Sequence, residues 1–335
     1  SYMKMLYKYP IAEFPYELLQ KTNKNLSKAQ DEFELLDTGV FEKNNYFDIF
    51  IEYAKVDAND ICIKITAHNR SSKDAPLTIL PTLWYRNTWS WGYEEFEKKP
   101  ILSGIANSQI EVSHRLFDRM KLYCKDADEL IFCENETNKM RVFGRENDEQ
   151  FLKDGINEYI IGGKKTAVNP NKIGTKASAK YQKKVKAGSS VTIELRFSDK
   201  TNLKEPFADF DKTFEERLKD ADDFYEKVQK DIASQEEKDI QRQAFAGMMW
   251  SKQFYYYNIE QWMNGDPKMP FEFRGRAFER NGPWKHAYMA NILSMPDKWE
   301  YPWFAAWDLA FHTATLARID PDFAKRQLAV VLREY

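Results

Sequence analysis

Apolar and polar positions alternate with period two through much of the first two hundred residues. Phe47, Ile49, Ile51 and Tyr53 are interleaved with Asp48 and Glu52, and Ile61, Ile63 and Ile65 with Lys64 and Thr66. A strand with one buried face requires this alternation, because successive side chains point to opposite faces. Asp57-Ala58-Asn59-Asp60, between the two runs, predicts a hairpin turn. Leu77, Ile79 and Leu83 continue the meander, and Pro81 marks an edge or a bulge because proline has no N–H for a ladder. Further strands are predicted over 121–124, 130–133, 140–143, 177–185 and 191–197, with Ala187-Gly188 turning between the last two. Residues 144–176, rich in Gly, Asn and Lys, read as a long excursion. Together these predict a large antiparallel domain over residues 1–200, most simply a β-sandwich.

Beyond about residue 200 the period becomes that of a helix. Phe210, Phe214, Leu218, Ala221, Tyr225 and Val228 share one face, with charged residues between them. Ser234 and Glu237 form a capping box ahead of a long helix predicted to run to about Trp262, where Gly265-Asp266-Pro267 breaks it. On that helix Phe254-Tyr255-Tyr256-Tyr257 would point in four directions about 100° apart. A Gly-, Pro- and Arg-rich stretch follows. Another helix is predicted from near Pro302, a good first-turn residue. Asp320-Pro321 caps a final helix with Phe323, Leu328, Val331 and Leu332 on its apolar side. Both ends of the chain fall inside patterned sequence, so a fragment of a longer protein is expected. Residues 201–335 are predicted to be a linker helix and the beginning of an all-α domain.

Composition narrows the function. Hydrophobic residues make up 43% of the 335, enough for sizeable cores, and aromatics 15%, a supply that suits sugar-stacking sites. The 50 basic and 52 acidic residues balance to a net charge of -2, which argues against a nucleic-acid partner or a polybasic membrane surface. Cys62, Cys124 and Cys133 form neither a close metal motif nor an even disulfide framework, which fits a reducing, cytoplasmic setting. No apolar run reaches transmembrane length. His68, His114 and His286 have no ligand spacing, so no metal is expected, and the absence of nucleotide-binding glycine motifs argues against a cofactor.

The candidate chemistry centres on Asp308. It is the only formally charged residue between Tyr301 and Ala317, within Trp303-Phe304-Ala305-Ala306-Trp307-Asp308-Leu309-Ala310-Phe311-His312. A carboxyl on an apolar helical face loses hydration, which favours its protonated form, the form a general acid needs. Trp303, Phe304 and Trp307 flank it, and aromatic rings pack against the apolar C–H faces of sugars. Trp303 and Trp307 are spaced to share one helical face. Lys298, Glu300 and Tyr301 lead into the helix, where loop ends line subsites. His312, four residues after Asp308, is placed to orient the acid or to meet a hydroxyl. Each has a plainer account as well: an acid paired with His312 or a distant arginine, tryptophans in helix packing, solvated surface charges, a satisfied histidine. Trp84, Trp89 and Trp91 either reach the active site or pack at a domain interface. Phe271-Glu272-Phe273-Arg274-Gly275-Arg276 offers an acid and two arginines, for a charged aglycone or for surface salt bridges.

Two long Trp-rich stretches carry a resemblance. Leu80-Pro81-Thr82-Leu83-Trp84-Tyr85-Arg86-Asn87-Thr88-Trp89-Ser90-Trp91-Gly92 and the segment from Met295 to His312 resemble glycoside hydrolase family 63, in its branch of large bacterial cytoplasmic enzymes. Glu34-Leu35-Leu36-Asp37-Thr38-Gly39-Val40-Phe41 and Trp250-Ser251-Lys252-Gln253-Phe254-Tyr255 support it. The resemblance implies a β-sandwich followed by an (α/α)6 barrel, of which this chain would hold the first helices. It also implies an inverting glycosidase with Asp308 as general acid. The matching base would lie beyond Tyr335, in the remainder of the same polypeptide. The implied partner is a small α-glucoside, α-mannoside or oligosaccharide. Competing classes are a carbohydrate-binding or structural module without chemistry, and another (α/α)6 enzyme such as a trehalase-like hydrolase or a phosphorylase.

Overall fold

The computed structural model describes residues 1–96, 98–106, 108–117, 119–268, 280–295 and 303–334. It divides into two compact units, Ser1–Asn87 with Lys99–Lys219, and Thr88–Lys98 with Asp220–Tyr335.

The first unit holds twelve strands among the described residues: β1 (Tyr2–Pro10), β2 (Tyr46–Asp57), β3 (Asp60–Asn69), β4 (Ala75–Ile79), β5 (Thr82–Trp84), β6 (Ile101–Ile105), β7 (Gln109–Ser113), β8 (Met120–Cys124), β9 (Glu129–Cys133), β10 (Ile173–Gly174), β11 (Lys176–Val185) and β12 (Ser190–Ser198). Eight of them form one sheet in the order β1-β2-β3-β12-β8-β7-β6-β10. The smaller sheet is built on β11, with β9 along one edge and β4 and β5 along the other. Phe47, Ile65, Ile193 and Leu195 from the large sheet share a buried cluster with Leu77, Leu130, Phe132 and Tyr181 from the small one. This is the β-sandwich that the alternation predicts. The two sheets leave a groove of about 540 Å³, walled by Ile51, Ile63 and Phe197 on one side and Ile79 and Leu83 on the other.

Local details follow from the residues. Asp57 pairs with Asp60 across Ala58-Asn59, which closes the predicted hairpin. β4 and β5 keep one register along β11, with Ile79 opposite Tyr181 and Thr82 opposite Ser178. Leu80-Pro81 therefore interrupts a single edge without inserting a residue, and the Pro81 carbonyl still accepts the Ala179 N–H at 3.0 Å. Residues 140–143, predicted as a strand, are helical instead: they lie in α2 (Lys139–Phe143), the first helix after α1 (Tyr16–Asn25). The Asn138 side chain accepts the Arg141 N–H and Gly144 closes the helix at a φ of +65°. These two caps outweigh the short apolar run. The predicted excursion also contains α3 (Gly155–Ile160), whose Ile156 packs with Ile131, Cys133 and Val168.

A buried ion pair ties the large sheet to α4 (Phe210–Val228), the helix that leaves it. Arg196 on β12 donates from Nε and Nη2 to the two oxygens of Asp60 on β3, at 2.8 and 2.7 Å. Its Nη1 reaches the Pro206 carbonyl at 2.8 Å and Asp209, just before α4, at 2.7 Å. The Arg196 and Asp60 side chains are 4% and 0% exposed. Desolvation works to raise the Asp60 carboxyl, but the hydrogen bonds and charge of Arg196, joined by Lys200, hold it below the usual carboxylate range. Beside it, Phe210 and Phe214 pack over Ala54 and Cys62. Cys62, Cys124 and Cys133 are buried and free, and burial pushes each thiol up to about 12.

The second unit contains the end of α4, α5 (Gln235–Trp250), β13 (Lys252–Asn258), α6 (Ile259–Asn264), β14 (Tyr288–Ser294), α7 (Ala306–Leu316) and α8 (Pro321–Glu334). Ser234 caps α5, accepting the Glu237 N–H at 3.4 Å. The predicted long helix ends at Trp250 rather than Trp262. The aromatic run that follows is rich in strand formers and pairs with β14, Lys252 opposite Ser294 through Asn258 opposite Tyr288. Its four rings therefore alternate. Tyr255 and Tyr257 pack into the core, while on the other face Trp91 stacks on Tyr256 at 6.0 Å between centroids. Gly92, at a φ of +93°, lets Pro267 and Lys268 approach closely: a Cβ there would lie 2.8 Å from the Lys268 side chain.

Asp320 caps α8 as expected, its Oδ1 accepting the Phe323 N–H at 2.9 Å. The buried stripe of α8 is Phe323, Ala324, Gln327 and Val330, whereas Leu328 and Leu332 face outward. Gln327 takes the inward place because its amide bonds the edge of β14, accepting from Ser294 N–H at 3.1 Å and donating to the Ile292 carbonyl at 2.9 Å. Among the described residues no helix is long and apolar enough to cross a membrane.

Arg196→Met should destabilise the first unit by about 3–5 kcal/mol near neutral pH, because it strands a buried carboxylate. The depressed Asp60 carboxyl stabilises the fold above its unfolded value, and that contribution is lost as pH falls through the folded one. The gap between wild type and variant in urea unfolding should therefore close as the pH is lowered below about 4. A gap that widens on acidification would contradict this account.

Candidate active site

α7 starts without a side-chain cap. Ala305 occupies the N-cap position and Asp308 is the third helical residue. Leu309, Thr313 and Leu316 form the buried stripe, spaced four and three residues apart. Leu309 shares a core cluster with Val330 of α8 and Met289 and Leu293 of β14. Trp307 and Phe311 lie one turn apart and are both 68% exposed, with ring centroids 5.8 Å apart in an edge-to-face pair.

Asp308 sits half-buried between these two faces. Its Oδ2 is buried and accepts no hydrogen bond among the described residues. A buried polar oxygen without a donor is costly and uncommon, so it requires a reason. Glu334, at the end of α8, is the contrasting case. Its Oε2 accepts the Tyr288 N–H at 3.0 Å and its Oε1 accepts from Arg333 Nε at 2.6 Å, so both oxygens are engaged. Glu334 thus serves a structural join, whereas Asp308 Oδ2 has no hydrogen-bond donor among the described residues.

The other predicted residues separate. Trp303 and Phe304 precede the helix and do not share a helical face with Trp307. Phe304 is 3% exposed and belongs to the core, its ring 6.4 Å from that of Trp284. Trp303 is half-buried, with the Arg280 guanidinium 4.5 Å from its ring. His312 has a partner other than the acid: its Nδ1 lies 3.0 Å from Ser294 Oγ. Lys298, Glu300 and Tyr301 lie outside the described residues, as do Pro302 and the segment from Phe271 to Arg276. Trp89 and Trp91 fold with the second unit and Trp84 with the first, where it is 55% exposed. Among the described residues no three His, Cys, Asp or Glu side chains gather to hold a metal.

Sequence reasoning passed over Arg280 and Asn281. Asn281 donates from Nδ2 to the Phe304 carbonyl at 3.4 Å, and its Oδ1 accepts the Phe304 N–H at 3.1 Å. The signal was present in Asn281-Gly282-Pro283, a strong turn sequence within the stretch read only as Gly-, Pro- and Arg-rich.

The chain is similar to a yeast protein. It is 39% identical over 380 residues to the uncharacterized protein YMR196W of Saccharomyces cerevisiae, a match that takes in 100% of this chain and 35% of that protein. The chain thus spans about a third of the length of this relative. No family model matches it. Among solved structures, a putative kojibiose phosphorylase from human microbiome aligns at a TM-score of 0.27 and 12% identity, over 64% of this chain and 23% of that one.

Burial separates the aromatic neighbours of Asp308 by role. Phe304→Ala should cost about 3–5 kcal/mol by opening a core cavity. Trp307→Ala, at an exposed position, should stay within about 0.5 kcal/mol of wild type. Equilibrium unfolding of the two variants in denaturant measures both, and equal losses would show that Trp307 is a packing residue.

Proposed function

We propose that the protein to which this chain belongs is an inverting glycoside hydrolase related to family 63, with Asp308 as its general acid. The observation that carries this is the buried Oδ2 of Asp308, which has no hydrogen-bond donor to satisfy it among the described residues, on a helix whose Trp307, next to it in sequence, and Phe311, three residues on, are exposed. A carboxyl oxygen kept out of structural hydrogen bonds is left available to the leaving oxygen of a substrate. Exposed aromatic rings on the same helix suit the apolar face of a sugar. The Trp-rich stretches that resemble the family, and a sandwich followed by helices, support the same conclusion.

In this mechanism protonated Asp308 donates to the glycosidic oxygen as the bond to the anomeric carbon breaks. A second carboxylate, supplied by the rest of the polypeptide, removes a proton from water as it attacks the opposite face. Such pairs stand roughly 6.5–9.5 Å apart to admit that water, and the product has inverted configuration. Trp307 would form part of a sugar subsite, with Trp303, Tyr301, Lys298, Glu300 and His312 as neighbours from the same helix and its lead-in, and Phe304 as packing beneath it. The full catalytic domain would be an (α/α)6 barrel, whose further helices would bury the exposed Leu328 and Leu332. Free, buried cysteines support a cytoplasmic setting.

Hydrolysis of α-glucosides and α-mannosides by the full-length protein tests this, with NMR of the first-formed anomer. Asp308→Asn should lower kcat by a factor of roughly a hundred or more on glycosides with sugar leaving groups, and the wild-type product should be inverted. Unchanged turnover in Asp308→Asn would sink the assignment. Turnover that requires inorganic phosphate would identify a phosphorylase, and sugar binding without turnover would identify a binding module.

A further inference from the structure

We propose that Asn281 is the positioning residue that sets Asp308 in place, an inference that rests on the general-acid role proposed above. α7 has no side-chain cap, so its first turn must be held by something else. The Asn281 side chain binds both backbone groups of Phe304, accepting its N–H at 3.1 Å and donating to its carbonyl at 3.4 Å. Phe304 lies four residues before Asp308, immediately ahead of the N-cap Ala305, so this clamp acts where the chain direction into the helix is decided.

The clamp is itself pre-set. Asn281 has a φ of +63°, in the left-handed region that asparagine tolerates better than other residues with a Cβ. The Trp284 N–H donates to the Asn281 carbonyl at 2.8 Å and closes a turn over Gly282-Pro283. From the same turn, Arg280 lies over the Trp303 ring and the Trp284 ring packs on Phe304. Two consecutive residues of the lead-in are thereby held through backbone and ring together. None of these contacts touches Asp308, whose own Oδ2 has no hydrogen-bond partner among the described residues. The acid's position thus depends on the backbone that carries it. A proton donor works only within hydrogen-bond reach of the leaving oxygen, and a shift of about 1 Å can cost on the order of a hundredfold in rate.

The test uses the full-length protein and two substrates of the same sugar. A methyl glycoside needs its leaving group protonated, and a glycosyl fluoride needs little such help. Asn281→Gly keeps the backbone freedom and removes the clamp, whereas Asn281→Asp keeps the acceptor and loses the donor. We expect Asn281→Gly to lower kcat on the methyl glycoside roughly ten- to a hundredfold, with KM within about threefold and the fluoride rate within about threefold of wild type. Asn281→Asp should fall between, and it carries the test if the glycine variant does not fold. Equal losses on the two substrates, or no loss, would overturn the role of Asn281. If Asp308→Asn shows the selective loss while the Asn281 variants do not, the acid stands and the clamp falls. If Asp308→Asn loses nothing on the methyl glycoside, the acid and the clamp fall together.

Discussion

The second unit depends on the burial of Leu309 and Val330 against Met289 and Leu293. Leu309, Met289 and Leu293 are all 0% exposed. A two-stranded sheet such as β13–β14 is marginal by itself, and covering it with two helices supplies the missing apolar burial. Each such side chain contributes about 1.5–3 kcal/mol when fully buried. This packing also fixes the rotation of α7. With Leu309 turned inward, Trp307 is rotated about 200° from it toward solvent and Asp308 falls between the two, about 100° from each. The half-buried position of the acid is therefore a by-product of its neighbour's burial. Gln327 completes the arrangement by satisfying backbone groups at the β14 edge that an apolar residue would leave open.

Buried carboxylates in this chain fall into two kinds. Asp60 is fully buried and surrounded by Arg196 and Lys200, and Glu334 is tied to Tyr288 and Arg333. Each closes a structural join: sheet to emerging helix in one case, helix end to strand in the other. Removing either partner leaves a charge without compensation, which is why such pairs hold rigidly once formed. Asp308 differs because one of its oxygens is buried without a donor among the described residues. That difference, rather than its presence in an apolar stretch, separates a candidate for chemistry from a carboxylate with a structural task.

The two β-strand errors have distinct physical origins. Residues 140–143 have an apolar look, but Asn138 and Gly144 cap them on both sides, and short elements are decided at their ends. The run from Lys252 to Asn258 continues the helical spacing of α5, yet its partner strand starts thirty residues later, at Tyr288. No local pattern reveals a partner at that distance. The same limit hid Asn281, whose role exists only because the chain returns to it at Phe304. His312 and Trp303 were placed near the acid by spacing, and each instead found a partner remote in sequence, Ser294 and Arg280.

The sequence by itself determined the elements whose burial follows a short period: the alternating strands of the sandwich, the Ala58-Asn59 and Ala187-Gly188 turns, the Ser234 and Asp320 caps, and the isolation of Asp308 in an apolar run. These need only neighbours within a turn or a hairpin. Tertiary structure alone decided that an aromatic run is a strand, that Gln327 lies inward while Leu328 faces out, and which oxygen of Asp308 is left without a donor among the described residues. Each of those outcomes depends on a hydrogen-bond or packing partner supplied by a distant segment, and the free energy of that partnership exceeds the weak local preference it overrides.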